Sequence, residues 1–449
     1  MVDTIFAPLT VRGRCSIYVL RISGDRAGDC LERLGIRKKL EHRRATLCLL
    51  EDRNGRELDE ALCVFFRGPS SFTGEDVCEI NLHCSGPIVE EVVYLLNTLE
   101  GVRLAERGEF SRRAFLNGKL DLVQAEAIAD LVNAESELQH RKAIEQLRGK
   151  NSTVFERLRT TILDISARLE VLLDFPQDDS GADVLAQAGD RIGDLVGELE
   201  NMLNDSNVGL RIKNGIAISL VGRVNVGKSS LMNFLAGDDV AIVSNLAGTT
   251  RDVLSLAREI SGIPVKFYDT AGLRETSDEI ELEGIRRALA SAKNADFRIV
   301  LLEPEFLEID PRLAPLAEEN TLVVLNKIDL LEHSPENQKK LEALRSSRPD
   351  LVEISLEQHI NTDKLVTRLE QLIQENVTQF ANTNITQERH RKELSGALDS
   401  LRKVDLESLP LEIVLEHIRQ ASLCLGRITG KIDVGEVLDS IFEKFCIGK

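Results

Sequence analysis

Short apolar runs separated by turn residues fill the first part of the chain, residues 1–118. Four of these runs have the length and alternation of β-strands, and the segment 88–99 has apolar residues at helical spacing. The predicted strands span residues 16–22, 45–50, 61–66 and 78–83. Short strands interspersed with helices predict a small α+β domain.

Long helical patterns replace the strands after Leu120. Apolar residues recur every three or four positions in two stretches, which is the spacing of an amphipathic helix. They are Leu122, Ala125, Ile128, Ala129 and Val132 in the first stretch, and Ile162, Ile165, Leu169 and Leu172 in the second. The sequence Phe-Pro-Gln-Asp-Asp-Ser-Gly at 175–181 interrupts the pattern, and a further helix is predicted to about Leu203. Helical patterning returns at Ile385 and continues to Lys449.

A third pattern, a strand followed by a loop and a helix, begins after Lys213. Its apolar strands have the continuous character of strands buried in a mostly parallel sheet. They span residues 216–221, 265–268, 297–302, 322–325 and 351–354. Because helical segments lie before and after this α/β block, we interpret it as an insertion that divides one helical domain. The predicted domains are the α+β domain at 1–118, the two parts of the helical domain at 119–212 and 377–449, and the inserted α/β domain at 213–376.

Length and composition agree with a multidomain globular protein. At roughly 100–200 residues per domain, 449 residues are enough for about three domains, and 43% hydrophobic with 29% charged residues is ordinary. The sequence has no basic-then-apolar signal region and no apolar run near the ~18 residues that span a bilayer. The eight cysteines lack paired CxxC spacing, as is typical of thiols in a reducing cytosol. We therefore expect a cytoplasmic protein without a membrane partner. A metal site at Cys78, His83 and Cys84 is the weaker alternative, because no second ligand pair is nearby.

The charge is uneven along the chain. A formal net charge of −18 argues against a protein that covers nucleic acid or an anionic membrane with its whole surface. Residues 1–118 are nearly balanced, with 17 Lys and Arg against 18 Asp and Glu. This part contains a basic run of Arg33, Arg37, Lys38, Lys39, Arg43 and Arg44. We interpret the run first as a solvated face, with a local nucleic-acid patch as the alternative.

A phosphate-binding loop is the first chemical motif in the α/β block. Gly222-Arg223-Val224-Asn225-Val226-Gly227-Lys228-Ser229 fits the pattern GxxxxGK[ST] and lies between a predicted strand and a predicted helix. The glycines let the backbone wrap a β-phosphate, and the N-terminus of the helix adds N–H donors. Lys228 is expected to reach the β- and γ-phosphates, and the hydroxyl of Ser229 to bind Mg²⁺.

Three further motifs follow predicted strands and indicate a guanine nucleotide. In Asp269-Thr270-Ala271-Gly272, Asp269 can hold Mg²⁺ through water and Gly272 can meet the γ-phosphate. In Asn326-Lys327-Ile328-Asp329, the Asp329 carboxylate can accept hydrogen bonds from N1–H and the 2-amino group of guanine, which adenine does not offer. Ser355-Leu356 is expected to place a backbone N–H near the guanine oxygen. The predicted GTP contacts are Asn225, Val226, Gly227, Lys228, Ser229, Ser230, Ser244, Asn245, Leu246, Ala247, Gly248, Thr249, Thr250, Asp269, Thr270, Ala271, Gly272, Asn326, Lys327, Asp329, Ser355 and Leu356.

Hydrolysis needs a feature other than the usual glutamine. Many small GTPases follow Asp-x-x-Gly with a Gln that orients the attacking water, but here the next residue is Leu273. Asn225 and the loop 244–250 supply an amide oxygen, carbonyls and hydroxyls, a suitable cage for a monovalent cation such as K⁺ that replaces an arginine finger. Thr250 is the natural second Mg²⁺ ligand. The alternative is that Asn225 is an ordinary loop residue.

Motifs along nearly the whole chain resemble the MnmE (TrmE) family of tRNA modification GTPases. Several lie outside the nucleotide motifs that all such GTPases share. They are Leu20-Arg21-Ile22-Ser23-Gly24, Phe72-Thr73-Gly74-Glu75-Asp76, Gly108-Glu109-Phe110-Ser111-Arg112-Arg113-Ala114-Phe115, Leu116-Asn117-Gly118-Lys119-Leu120-Asp121-Leu122 and the final Phe445-Cys446-Ile447-Gly448-Lys449. Within the α/β block, Gly248-Thr249-Thr250-Arg251-Asp252 is also shared. Two departures are Gly13-Arg14-Cys15-Ser16 in place of a glycine-rich stretch, and Ser355-Leu356 in place of Ser-Ala.

The resemblance implies roles for particular residues. It implies that the N-terminal domain dimerises and binds a tetrahydrofolate, as the 5-formyl or methylene derivative, through Arg21, Glu79, Lys119 and Lys449, with Cys446 near the one-carbon unit. It implies that Glu281 positions the catalytic water. It also implies that K⁺ is bound by Asn225, Ser244, Leu246 and Thr249, the middle two through backbone carbonyls.

The resemblance also implies the activity and the partners. GTP hydrolysis would support the addition of an aminomethyl or carboxymethylaminomethyl group to C5 of the wobble uridine of certain tRNAs. The chain would act as a homodimer that forms a heterotetramer with a flavin-containing MnmG-type protein. The alternative function is a ribosome-assembly GTPase that binds ribosomal RNA, although the segment after the α/β block is not strongly basic, as such proteins usually require.

Overall fold

A computed structural model describes residues 3–10, 15–174, 181–223, 225–236, 255–269, 295–309, 320–331, 334–377, 385, 387–432, 435–443 and 445–448. The chain divides into two compact units. The first consists of residues 1–133, 143–197 and 393–449, and the second of residues 134–142 and 198–392. The predicted domain limits remain predictions.

The first unit contains a six-stranded sheet in the order β3-β4-β5-β2-β1-β6. Its strands are β1 (Thr4–Pro8), β2 (Ile17–Ser23), β3 (Thr46–Glu51), β4 (Glu57–Phe66), β5 (Val77–His83) and β6 (Val102–Leu104). All pairs are antiparallel except β1 with β6. The four predicted strands are confirmed. The short strands β1 and β6, of which β6 lies at the edge of the sheet, were not predicted, because five and three residues show too little alternation.

Helices cover one face of this sheet and then continue as a helical region. They are α1 (Ala27–Arg33), α2 (Gly86–Asn97), α3 (Glu109–Leu116), α4 (Leu122–Val132), α5 (Glu137–Leu147), α6 (Lys150–Asp174) and α7 (Gly181–Asn214). The core below the sheet joins residues of β2 and β5 to α1 and α2. Helix α4 begins with a capping box, in which the Asp121 carboxylate accepts from the Gln124 N–H at 2.8 Å and the Asp121 N–H donates to Gln124 Oε1 at 3.0 Å.

Helix α7 corrects one prediction, because it continues eleven residues beyond Leu203, to Asn214. The polar sequence Asn-Asp-Ser-Asn at 204–207 favours a helix end by local propensity alone. Tertiary contacts near its end hold the longer helix: Arg211 Nε lies 2.8 Å from Asp296 Oδ1, and Lys213 Nζ lies 2.6 Å from Gln387 Oε1.

The second unit contains a six-stranded sheet in the order β12-β11-β10-β7-β9-β8. Its strands are β7 (Ile216–Gly222), β8 (Ser255–Ile260), β9 (Ile263–Asp269), β10 (Phe297–Leu302), β11 (Thr321–Leu325) and β12 (Val352–Glu353). All pairs are parallel except β8 with β9. Among its described residues, this part also contains helices α8 (Lys228–Ala236), α9 (Pro335–Ser347) and α10 (Thr362–Val377). The expected mostly parallel sheet is confirmed, and the antiparallel edge strand β8 was not predicted.

Three helices complete the described chain: α11 (Glu388–Leu401), α12 (Leu411–Thr429) and α13 (Gly435–Phe442). Helix α12 packs along α6, and both contribute a buried apolar stripe. The stripes contain Phe155, Leu158, Ile162, Ile165 and Leu169 of α6, and Val414, Ile418, Ala421, Leu425 and Ile428 of α12. Across the part of the chain that the structure describes, no helix is both long and apolar enough to cross a bilayer.

Candidate nucleotide and N-terminal sites

The predicted phosphate loop joins β7 to α8 at the carboxyl edge of the parallel sheet, where ligands of open α/β sheets bind. Asn225 has a left-handed backbone (φ 64°), and Gly227 follows with φ 104°. A Cβ at Gly227 would overlap the side-chain amide of Asn326, so only glycine permits this close approach. The buried Lys228 donates from Nζ to the carbonyls of Gly222 (3.1 Å) and Arg223 (2.8 Å). The lysine is therefore folded back across the loop that the sequence assigned to phosphate.

Asn326 connects three loops at this edge. Its Nδ2 donates to the carbonyl of Val226 at 2.9 Å, and its Oδ1 accepts from the N–H of Leu356 at 3.2 Å. The side chain is buried, at 3% exposure. The motif predicted that Asn326 belongs to the site, but not that it fastens the phosphate loop to the loop after β12. An amide carries both a donor and an acceptor, so no acidic or aliphatic residue could replace it in both contacts.

Asp329 presents an acceptor without a protein donor. It lies in the 3₁₀ turn Ile328–Leu330, after Lys327, whose backbone is left-handed (φ 61°). Its Oδ1 is buried, and within the described residues it has no hydrogen-bond partner. A buried acceptor that lacks a donor costs about 1–3 kcal/mol. The site is therefore suited to a ligand that brings N–H donors to this position.

The neighbouring contacts hold this turn in place. Lys327 Nζ lies 2.7 Å from Glu303 Oε2, at the end of β10. Ser355 is fully buried, its N–H donates to the carbonyl of Ile360 at 3.1 Å, and the N–H of Leu356 donates to Asn326. The N–H groups of Ser355 and Leu356 thus both have protein acceptors, and the predicted contact of a backbone N–H in this pair with guanine remains a prediction.

A cation–π contact beside the phosphate loop was not predicted. The Arg223 guanidinium lies 3.8 Å from the ring centre of Phe306, in the turn after β10. In the sequence, Arg223 stands out only as the second residue of the loop motif, and this position does not predict a contact with Phe306.

Several predicted site residues lie outside the described part of the chain, and their roles remain predictions. They are Ser244, Asn245, Leu246, Ala247, Gly248, Thr249, Thr250, Thr270, Ala271, Gly272, Glu281 and Lys449. Asp269 is described only as the last residue of β9. Ser229 and Ser230 are exposed in the first turn of α8, and Val226 is buried in the core.

The residues assigned to folate occupy the first unit. Arg21 and Glu79 are opposite each other on β2 and β5, and Arg21 donates to Glu79 Oε1 from Nε at 3.0 Å and from Nη2 at 2.7 Å. The guanidinium also lies 4.8 Å from the ring centre of Phe72 and 5.5 Å from that of Phe110. Lys119 Nζ donates to the carbonyl of Pro69 at 2.8 Å. The structure therefore shows Arg21 and Glu79 as a pair, and Lys119 bound to a separate carbonyl.

The C-terminal residues lie against the N-terminal domain. Ile447 pairs with Arg107 in an isolated antiparallel bridge, and the Gly108 N–H donates to the Cys446 carbonyl at 3.5 Å. Gly448 has φ 102°, and a Cβ there would overlap the carbonyl oxygen of Pro8. Cys446 itself is exposed. This docking brings residues 446–448 together with Pro8, Arg107 and Gly108.

A chain of ion pairs connects two of the quoted family motifs. Arg103 and Arg113 lie 2.7 and 2.9 Å from Glu109 Oε1, and Arg113 also lies 3.2 Å from Glu75. Glu75 in turn accepts from the Ser23 hydroxyl at 2.6 Å. Burial by itself raises the pKa of Glu109, but hydrogen bonds from Arg103, the Glu106 N–H and Arg113 outweigh it and hold the pKa below its usual value.

The alternative metal site does not assemble. Cys78 is buried on one face of β5, whereas His83 is exposed, with Nδ1 2.7 Å from Asp59 Oδ1. Among the described residues, no group of three His, Cys, Asp or Glu side chains could hold a metal ion.

Comparison with known proteins covers the whole chain. The family described as "GTP-binding protein TrmE N-terminus" matches residues 4–119, and the family described as "MnmE helical domain" matches residues 122–446. The tRNA modification GTPase MnmE of Rickettsia rickettsii (strain Sheila Smith) is 41% identical over 454 residues, covering 100% of both chains. The protein of the same name from Anaplasma phagocytophilum (strain HZ) is 41% identical over 453 residues, covering 100% of this chain and 99% of the relative.

Solved structures give much weaker matches. Era in complex with MgGDPNP and nucleotides 1506–1542 of 16S ribosomal RNA is 28% identical over 35% of this chain and 56% of that chain, with a TM-score of 0.28. A GTP-binding protein from Sulfolobus solfataricus in complex with GDP is 19% identical over 64% of this chain and 85% of that chain, with a TM-score of 0.29. TM-scores of this size do not support a conclusion about function. The full-length relatives and the two family matches show that the chain belongs to the MnmE (TrmE) family of tRNA modification GTPases.

Proposed function

We propose that this protein binds and hydrolyses GTP in support of tRNA modification. The observation that carries the GTP part is the buried Asp329 Oδ1, which has no donor among the described residues and lies at the same sheet edge as the phosphate loop. The tRNA part rests on the full-length relatives, which are named tRNA modification GTPases.

Base selection follows from the chemistry of Asp329. Guanine offers two donors, N1–H and the 2-amino group, to one carboxylate. Adenine has an acceptor at N1 and no 2-amino group, so it would leave the buried carboxylate without donors. Asn326 supports selection indirectly, because its two hydrogen bonds fix the loops on either side of the base pocket.

Phosphate and Mg²⁺ binding use the loop before α8. Lys228 would exchange the carbonyls of Gly222 and Arg223 for phosphate oxygens, and the N–H groups that begin α8 add further donors. Ser229 and Thr250 are the proposed Mg²⁺ ligands, with Asp269 acting through water. Bound Mg²⁺ would neutralise charge that develops on the phosphates during hydrolysis.

Turnover is proposed to depend on K⁺ and Glu281. Leu273 cannot orient water, so Glu281 is assigned to position the attacking water molecule. Asn225, Ser244, Leu246 and Thr249 are the proposed K⁺ ligands. The left-handed backbone and exposure of Asn225 leave its amide accessible at the surface of the loop.

The N-terminal domain is proposed to bind a tetrahydrofolate derivative, 5-formyl or methylene, through Arg21, Glu79, Lys119 and Lys449. Glu79 can pair with the donor edge of a pterin, and Arg21 already holds it in a fixed orientation. Cys446 is the proposed neighbour of the one-carbon unit, and its exposed thiol lies on the segment docked at Gly108.

We further propose a homodimer that joins a flavin-containing MnmG-type partner as a heterotetramer. The support is an apolar patch on the outer face of the first sheet, formed by Leu47, Leu49 and Leu62, which are 60%, 44% and 43% exposed. Leu47 and Leu62 are directly opposite on β3 and β4, so they form one contiguous surface. Contiguous exposed apolar surface of this kind marks interaction sites.

All eight cysteines are free thiols, as in a protein of the reducing cytosol.

Reconstitution tests the proposal directly. The purified chain is combined with the flavoprotein partner, unmodified tRNA, GTP, Mg²⁺, K⁺ and methylene-tetrahydrofolate, and the tRNA nucleosides are analysed by mass spectrometry. We expect a C5-substituted wobble uridine with the wild-type chain and none with Lys228→Ala. Modification that proceeds equally without GTP, or with Lys228→Ala, would contradict the proposed role of hydrolysis.

A further inference from the structure

A groove of about 540 Å³ opens on the N-terminal domain, and none of its lining residues is assigned to GTP or folate. Its floor is apolar and includes Leu31, Ile36 and Leu40, each 5% exposed. Its rim includes four cations, Arg37, Lys38, Lys39 and Arg67, and two carboxylates, Glu32 and Asp76. The groove therefore includes Arg37, Lys38 and Lys39 of the basic run, for which the sequence favoured a solvated face over a nucleic-acid patch.

Backbone contacts hold the two basic parts of the rim side by side. The Arg43 N–H donates to the carbonyl of Phe65 at 2.8 Å, and the Arg67 N–H donates to His42 Nδ1 at 2.9 Å. The segment after α1 is thus fixed against the end of β4.

The rim is positive in a chain that is strongly negative. Residues 31–44 contain six Lys and Arg against Glu32 and Glu41, whereas the whole chain has a formal net charge of −18. Three carboxylates near the rim are each engaged: Glu41 lies 2.8 Å from Arg44, Asp76 Oδ1 accepts from the Gly68 N–H at 2.8 Å, and Glu51 lies 3.7 Å from Arg37.

Several cations of the rim are available to a ligand. Within the described residues, the side chains of Lys38, Lys39 and Arg67 make no hydrogen bond and no ion pair within 4 Å. The side chain of Arg37 is 85% exposed, although it lies 3.7 Å from Glu51. Long, exposed cations distributed along a groove suit a row of phosphates better than one compact anion.

We propose that this groove binds the phosphate backbone of tRNA, an inference that rests on the proposed function in tRNA modification. The contacts position the RNA without reading its bases, and they release counterions, so binding weakens as salt rises. A membrane surface is disfavoured, because the apolar residues of this segment are buried in the floor and none projects for insertion.

Charge reversal with a matched control tests the groove. Lys38→Glu/Lys39→Glu changes the rim, and Lys339→Glu/Lys340→Glu makes the same change at two adjacent exposed lysines of α9. A second groove variant, Gly28→Glu, adds a carboxylate at the lip, where a Cβ meets nothing within 4 Å. Each full-length protein is titrated against fluorescently labelled, unmodified tRNA over a series of KCl concentrations, and GTP hydrolysis without RNA checks that the variant is folded.

We expect the rim variant to bind tRNA about tenfold or more weakly near 0.1 M salt, with the slope of log K against log salt reduced by about 1.5, the value for two lost phosphate contacts. Gly28→Glu should weaken binding in the same direction, and the α9 control should stay within about twofold of wild type. Hydrolysis of GTP should be unchanged in all three.

Each other outcome overturns the inference in a distinguishable way. If the rim and control variants weaken binding equally, only net charge matters, and the proposed tRNA function survives without the groove. If the wild-type chain binds no tRNA, the groove and the tRNA part of the proposed function fail together, while GTP hydrolysis is unaffected. If the rim variant loses binding to phosphatidylserine vesicles but keeps its tRNA affinity, the groove serves a membrane instead.

Discussion

Replacing Asp329 by Asn tests the guanine site most sharply, because it alters one buried acceptor and hardly changes its volume. In the structure, Asp329 Oδ1 is buried and receives no donor from the described residues. In the complex we expect guanine N1–H and the 2-amino group to donate to this carboxylate. The Asn side chain offers one oxygen and an NH₂ group, so one guanine donor would face another donor.

The expected loss can be estimated from two hydrogen bonds. A hydrogen bond to a charged group contributes about 1.5–3 kcal/mol and one between neutral groups about 0.5–1.5 kcal/mol, so losing one bond and making the other neutral costs about 2.5–4.5 kcal/mol. At about 1.4 kcal/mol per decade, affinity for guanine nucleotides should fall by roughly 10²–10³. Xanthine carries a carbonyl at C2 in place of the amino group, so the same variant should bind xanthosine diphosphate better than wild type does.

Competition against a fluorescent GDP derivative measures both effects, with GDP and xanthosine diphosphate as competitors. Asp363→Asn, which alters an exposed carboxylate at the start of α10, is the matched control and should bind as wild type does. The reasoning is refuted if Asp329→Asn retains GDP affinity within about threefold, or if it gains no affinity for xanthosine diphosphate.

Two further predictions concern the first unit. The lowered pKa of Glu109 means that its ion pairs stabilise the fold above the unfolded pKa of about 4.3 and that this contribution is lost as pH falls through the folded pKa. Glu109→Gln should therefore lower the thermal midpoint at pH 7 by several degrees, for a loss of about 2 kcal/mol. The difference in thermal midpoint from wild type should shrink below about pH 4. A difference that does not depend on pH would contradict this role of the ion pairs. Leu62→Lys places charges in the apolar patch and should shift the sedimentation-equilibrium mass from dimer towards monomer. The control Leu163→Lys changes a side chain of similar exposure on α6 and should leave the mass unchanged. Equal masses for the two variants would contradict a dimer interface on the β3–β4 face.

The sequence predicted the elements better than the contacts between them. Strand β11 is buried at every residue and β10 at every residue except Arg298, so their apolar pattern alone located the core of the second sheet. Strand β8 escaped prediction because its Arg258 and Glu259 lie on an edge strand that needs no continuous apolar run. The end of α7 escaped because Arg211 and Lys213 find partners far away in sequence.

The candidate site shows the same limit. Motif spacing placed Lys228, Asn326 and Asp329 at one sheet edge, because each follows a parallel strand. Spacing could not reveal that Asn326 bonds to Val226, 100 residues earlier, or that Arg113 pairs with Glu75, 38 residues earlier. Such contacts depend on which side chains the fold brings together, and no local pattern records them.

The most direct test of a potassium-assisted GTPase is the rate of GTP hydrolysis by the purified chain with Mg²⁺, in KCl and in NaCl at equal ionic strength. A cation that replaces an arginine finger would act through a device worth roughly 10³–10⁵ in rate, so we predict at least about tenfold faster turnover in K⁺. Asn225→Ala should remove this stimulation while leaving GDP binding intact. Equal, slow rates in both salts would contradict the cation mechanism and indicate a GTP-binding switch whose active site needs another protein.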